Sequence, residues 1–267
     1  MAVARNFDFM FTLVFISIKL KSFSKHIACV FAFLIFQISP TSAQTIKAYT
    51  EEWPPYNFLQ DGEVTGITTE ILRATCANAK IQCEFQLVPW TRAYKTVQET
   101  PNTLIYTIAR VPNREQQFIW VGPVLPRTTW IYVRKEVADK VHQIKDLAKF
   151  RIGLIRAEAS VSELIQAGVP ESAIRIFNSN TDVLRTAKIG HLDVLINTEI
   201  GMAMNQKNFD LPADSFVRLM KLYDGGALYF GLHLHSDPEL VERLQASLDK
   251  LKREAKIQAI VHQYTKM

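Results

Sequence analysis

The sequence predicts an α/β protein of two lobes, and two observations carry that reading. Strand and helix patterns alternate from residue 45 onward and then, after Lys135, begin to alternate a second time, as repeated parallel βαβ units do. Between the two series lies Leu125–Lys135, an apolar, β-branched run long for a strand and suited to crossing between lobes, with Gly225-Gly226 placed for a return crossing.

The elements follow in order. Thr45–Thr50 reads as a strand, and Glu51-Glu52-Trp53-Pro54-Pro55-Tyr56-Asn57-Phe58 leaves it as a loop, because two prolines cannot continue a ladder. The loop displays Trp53, Tyr56 and Phe58, rings suited to stacking on a ligand or to covering the edge of the core. Asp61-Gly62 is a turn. A helix over 66–79 puts Ile67, Ile71, Leu72, Thr75 and Cys76 on one face, and the strand Cys83–Val88 follows. Pro89-Trp90 opens the next helix, so Trp90 stands at a strand's end as Trp53 does. Thr103–Ile108 and Phe118–Val121 are strands, the second stopping at Gly122-Pro123.

The second series reads as helix Ile144–Phe150, strand Arg151–Ile155, helix Ser160–Ala167, strand Arg175–Phe177, helix Thr181–Ile189 and strand Asp193–Asn197. Ser160-Val161-Ser162-Glu163 has the form of a capping box, which is either a plain cap or a helix N-terminus offering N–H groups to an anion. Phe216–Leu222 and Ala227–His235 are two further strands, and Ser236-Asp237-Pro238-Glu239 starts one or two amphipathic helices. His233 and His235 alternate on one strand face, but no third ligand lies near them in sequence, so no metal is expected.

Composition narrows the function. In this 267-residue chain Lys19, Lys21 and Lys25 precede the apolar run Ile27–Ile38, and Ser39-Pro40-Thr41-Ser42-Ala43 follows it, the order of a secretory signal peptide cleaved after Ala43. The run is too short to span a bilayer. The leader holds Arg5, Lys19, Lys21 and Lys25 against Asp8, so its removal lowers the formal net charge from +5 to +2, too little for a nucleic-acid surface. Of three cysteines, Cys29 leaves with the leader. Cys76 and Cys83 remain, an even pair that in an exported chain favours a disulfide over two buried thiols.

The densest chemistry runs from Tyr106 to Pro123. An apolar strand ends at Ala109, Arg110 and Arg114 flank Pro112, and a second strand follows. A guanidinium presents a fixed fork of donors that matches a carboxylate, and a loop at a strand's end lets it reach a cleft. The alternative is two ordinary surface charges beside Glu115.

With the Trp-Pro-Pro-Tyr loop, the Gly-Ile-Thr-Thr-Glu-Ile helix, Val-Pro-Asn-Arg-Glu and Gly-His-Leu-Asp-Val-Leu-Ile-Asn in this order, the chain resembles the family 3 extracellular solute-binding proteins from Thr45 to Met267. The resemblance implies a periplasmic binding protein type II fold, two βα lobes joined by two crossover strands: residues 1–43 as leader, 44–127 with 226–267 as one lobe, 128–225 as the other. It also implies a monomeric periplasmic receptor, without cofactor or catalysis, that traps a small carboxylate-bearing solute and delivers it to an ABC permease. The family's arginine falls on Arg114, with Arg110 as a further positive group, and the aromatic walls on Trp53, Trp90 and Tyr56. The segment offering backbone N–H groups falls on Ala157–Ser160, without the usual glycine. The acid that meets an α-amino group falls on Thr198, next to Glu199, and Glu199, Glu158 or Glu51 is left to replace it. A rival reading is an enzyme resembling the periplasmic cyclohexadienyl dehydratases on the same fold, which needs a cleft acid of raised pKa to protonate a leaving hydroxyl, with Glu51, Glu52, Glu70 and Glu199 as the candidates. A sensor domain is disfavoured, because no second membrane segment or signalling domain is seen.

Overall fold

The computed structural model describes residues 44–265; the leader, and with it the expected cleavage after Ala43, lies outside the described residues. The first half of the chain builds β1 (Thr45–Thr50), β2 (Phe58–Gln60), β3 (Glu63–Thr65), α1 (Ile67–Asn78), β4 (Gln82–Leu87), α2 (Trp90–Glu99), β5 (Thr103–Ala109) and β6 (Ile119–Arg134). The second half adds β7 (Ile152–Ile155), α3 (Ala159–Gln166), β8 (Ile174–Phe177), α4 (Asn180–Lys188), β9 (Val194–Asn197), α5 (Glu199–Asn208), β10 (Phe216–Leu232), α6 (Pro238–Arg253) and α7 (Lys256–Thr265).

Eight strands follow the order β4-β1-β5-β10-β6-β9-β7-β8. The parallel trio β4-β1-β5 forms one flank and β9-β7-β8 the other, each joined antiparallel to one of the two long strands β6 and β10. β10 meets β5 through Leu228–Leu232, whereas β6 meets β9 through Trp130–Val133, so the long strands carry the chain from one α/β half to the other. This is the two-lobed α/β fold with two crossover strands.

Two expectations are corrected here. Phe118–Val121 and Leu125–Lys135 are not separate strands: β6 runs unbroken through Gly122-Pro123. Phe216–Leu222 and Ala227–His235 likewise merge into β10, which absorbs the Asp224-Gly225-Gly226 interruption as a register shift between Tyr223 and Gly226. Each strand finds its partner in the other long strand, and that pairing outweighs the local turn signals. Helix α5 has no counterpart among the sequence expectations, because Glu199–Asn208 carries almost no apolar periodicity.

The Trp53–Phe58 loop is anchored by helix α1. The N–H groups of Ile67 and Thr68 donate to Pro55 O and Tyr56 O, both at 2.9 Å, so the loop's carbonyls satisfy helix donors that no side chain caps. Only glycine suits position 66: its φ is 116°, and a Cβ there would lie 2.5 Å from Tyr56 O. Cys76 and Cys83 form a disulfide that ties α1 to β4 across a Cα separation of 6.2 Å. One apolar core lies where α1 and α6 cover β1 and β5, through Ile46, Ile71, Leu104, Leu244 and Leu248. A separate one fills the other half around Ile131, Leu147, Ile152 and Val194. A third runs between halves, with Trp90, Ile108 and Phe118 in one cluster with Ile155, Val183 and Leu195.

Candidate ligand-binding cleft

Between the halves, the loops after β1, β5 and β7 converge on Arg114. Arg114 is 5% exposed, and its guanidinium hydrogen-bonds two backbone carbonyls, Ala109 O at 3.2 Å and Ala157 O at 2.7 Å. It stands 5.5 Å from the Trp90 ring centre and 5.4 Å from that of Tyr94, within cation–π reach of both. Burial pulls its pKa down. A buried cation whose hydrogen bonds go to neutral carbonyls is costly unless an anion joins it.

The cavity at Arg114 is about 30 Å³ and is lined also by Trp53, Trp90, Glu51, Glu158 and Ser160. A second of about 30 Å³ shares Glu51, Trp53, Glu158 and Asn197 with it, and a wider recess of about 210 Å³ is lined by Glu51, Glu52, Trp90 and Asn180. Ala157 takes a left-handed φ of 60° and aims its carbonyl at Arg114 and at Trp90 Nε1, which donates to it at 3.1 Å. Residues from both halves therefore meet on one carbonyl.

Two carboxylates face this space. Burial drives the Glu158 carboxyl up to about 7, against the hydrogen bond that Ile155 N donates to it at 3.3 Å and the nearby Arg127 and Arg114. Glu51 is held well above the usual carboxylate range, first by burial and then by Glu158, with Arg114 opposing. Asn57 Nδ2 donates to the Glu51 carbonyl, and Thr107 Oγ1 donates to Asn57 Oδ1 at 2.5 Å, so β5 holds the loop that carries Glu51.

Of the residues singled out in sequence, Trp53, Trp90, Arg114 and Ser160 come together at this cleft. Trp53 Nε1 donates to Asn197 Oδ1 at 3.1 Å, bridging the two halves. Ser160 is 1% exposed, in the first turn of α3, but the expected capping box with Glu163 does not form: Glu158 is the N-cap, and the Glu163 carboxylate is taken by Arg127. Arg110 stands apart, 38% exposed, its guanidinium paired with Glu115 at 2.9 Å through Nε and stacked on Trp120 and Tyr229. Glu199 is also outside, on Arg218 at 2.6 Å. Tyr56 lines neither small cavity and donates its hydroxyl to Thr198 Oγ1 at 3.0 Å; burial pushes the phenol up to about 12. Thr198 caps α5, accepting from Gly201 N at 3.1 Å, so its hydroxyl is engaged twice.

Asn197 and Arg127 were not singled out in the sequence. Asn197 Oδ1 accepts both Trp53 Nε1 and Thr198 N, the latter at 2.8 Å. The clue to it was its place at the end of a parallel strand, where open α/β sheets collect ligand-binding residues. For Arg127, one charge in a β-branched run, local sequence holds no such clue.

The fold is two-lobed, and the cleft lies between its halves. The profile of bacterial extracellular solute-binding proteins, family 3, matches residues 46–267, and the chain belongs to that family. Among solved structures, an ancestral arginine-binding protein bound to arginine is similar with a TM-score of 0.73 at 16% identity, covering 83% of this chain and 98% of its own. A histidine kinase sensor domain with similarity to periplasmic binding proteins has a TM-score of 0.74 at 18% identity, over 84% of this chain and 96% of its own. The ancestral amino acid-binding protein AncCDT-1, a precursor of cyclohexadienyl dehydratase, has a TM-score of 0.70 at 18% identity, over 83% and 95%. At these identities the likeness speaks for the fold alone. No curated protein matches the sequence. Among the described residues no helix is long and apolar enough to cross a membrane.

Proposed function

We propose that this protein captures a small carboxylate-bearing solute, an amino acid or a derivative of one, between residues 44–127 with 226–267 as one lobe and 128–225 as the other, and presents it in the periplasm to an ABC-type permease. The observation that carries the reading is Arg114, a nearly fully buried guanidinium at the cleft whose hydrogen bonds go to neutral carbonyls. A ligand carboxylate supplies the hydrogen-bonded anion that Arg114 lacks, Trp53 and Trp90 flank it, and Ser160 stands in the same wall. In place of an acid at Thr198, Glu51 and Glu158 receive the ligand's amino group, a reading supported by their place on the same cavity. Family membership supports a binding role, and the arginine-binding fold relatives support an amino acid.

Cavities of about 30 Å³ cannot admit such a ligand, so entry requires the lobes to open on the crossover strands. Titration calorimetry against the common amino acids, with small-angle scattering on any binder, tests this. Saturable binding with compaction is expected; absence of binding across amino acids and simple carboxylates would sink it.

A second reading is an enzyme in the same cleft. It is favoured by Glu158, whose carboxyl titrates near neutrality and can hold a proton for a leaving hydroxyl. Incubation with prephenate or arogenate decides it: aromatic product lost in Glu158→Gln supports catalysis, and its absence leaves the receptor.

A further inference from the structure

We infer that a second pocket, behind the crossover strands and separate from the cleft, binds a small amphiphile with an anionic head, in the class of medium-chain alkyl carboxylates. The pocket holds about 790 Å³, a volume typical of small-molecule sites and far larger than the cavities at Arg114.

Its lining comes from several parts of the chain. β6 supplies Val124, Leu125 and the flanking Pro123 and Pro126, and β10 supplies Gly226 and Ala227, with Ala227 in register opposite Pro126. Helix α7 contributes Ile257 and Val261, and α5 contributes Ile200. Tyr56 and Ile67 complete the lining, and none of these residues lines a cavity at Arg114. Such a lining favours hydrocarbon, since water in it forgoes hydrogen bonds.

Charge selects the head group. The lining includes Lys252 and the exposed His262 but no carboxylate. Lys252 Nζ also lies 3.3 Å from Asp249, outside the lining, which leaves its other ammonium donors for a ligand. An anionic head beside Lys252 meets an ammonium and neutral donors, whereas a cationic head there meets like charge. An occupant touches both crossover strands and Tyr56, whose hydroxyl donates to Thr198.

The test is calorimetric titration of the purified protein with decanoate, with decylamine as the cationic control. Decanoate is expected to bind saturably at one site, and decylamine at least tenfold more weakly. Val261→Trp, which fills the pocket from α7, and Ile200→Trp, which fills it from α5, are each expected to weaken decanoate at least tenfold with melting curves preserved. Lys252→Glu with His262→Glu should do the same through charge, and Arg114→Ala should leave decanoate binding unchanged. Absence of saturable binding overturns the proposal, as do equal affinity for decylamine and indifference to both tryptophan variants. Loss of decanoate binding in Arg114→Ala overturns it too, by placing the carboxylate in the cleft.

Discussion

Arg127 and Glu163 meet fork to fork, Nη1 2.6 Å from Oε1 and Nη2 2.9 Å from Oε2, with side chains 4% and 8% exposed. The pair joins a crossover strand to the helix that carries Ser160. Removing one partner strands a buried charge, so Glu163→Gln or Arg127→Met is expected to destabilise the fold by about 3–5 kcal/mol. The double replacement by methionine should recover most of that loss. Denaturant unfolding of the four proteins measures it; single variants as stable as the parent would show that the pair contributes little.

Arg114 and Arg110 make opposite predictions. Arg114→Ala removes the proposed partner of a desolvated carboxylate and should weaken ligand binding at least about a hundredfold, a loss of several kcal/mol. Arg114→Lys keeps the charge without the fork and should regain only part. Arg110→Ala, whose partner is the exposed Glu115, should leave affinity within about twofold. Calorimetry on variants that melt like the parent decides; near-parental affinity in Arg114→Ala would remove it from the site.

Glu158 ties stability to pH. Its folded pKa of about 7 exceeds the ordinary 4.5, so the native state holds a proton that the unfolded chain gives up between those values. Its contribution is therefore fully present below pH 4.5 and is lost as pH rises through 7, amounting to no more than about 3 kcal/mol. Glu51, raised likewise, acts in the same direction. Thermal melts of the parent minus those of Glu158→Gln should show a difference that shrinks with rising pH across this window, and a flat difference would contradict the burial argument. If Glu158 receives a ligand ammonium, affinity should climb as pH goes from 5 to 7.5, and Glu158→Gln should flatten that climb.

The Cys76–Cys83 bridge closes a short loop between α1 and β4. In the chain-entropy picture such a loop contributes about 2 kcal/mol, so Cys76→Ser with Cys83→Ser should lower the melting temperature by a few degrees without abolishing binding. Intact mass before and after reduction with alkylation checks the bond itself: two free thiols in exported protein would refute it.

By itself the sequence determined the alternation of strands and helices, the disulfide pair and the arginine-bearing turn after β5, because each is written in local periodicity, spacing or turn residues. Strand β1 falls on Thr45–Thr50 as its pattern predicts, and helix Ile67–Asn78 lies within one residue at each end of its expected span. Only the tertiary structure decided which arginine is buried, since Arg110 and Arg114 differ in what surrounds them and not in their local pattern: Glu115, Trp120 and Tyr229 hold the first outside, while Ala157, Trp90 and Tyr94 enclose the second. Long-range pairing also fused four expected strands into two, because a strand continues wherever its neighbour offers hydrogen bonds. The same holds for Glu51 and Glu158, and for Glu163, read locally as a cap. Their proton affinities and partners depend on burial and on charges brought from distant parts of the chain, which no window of neighbouring residues contains.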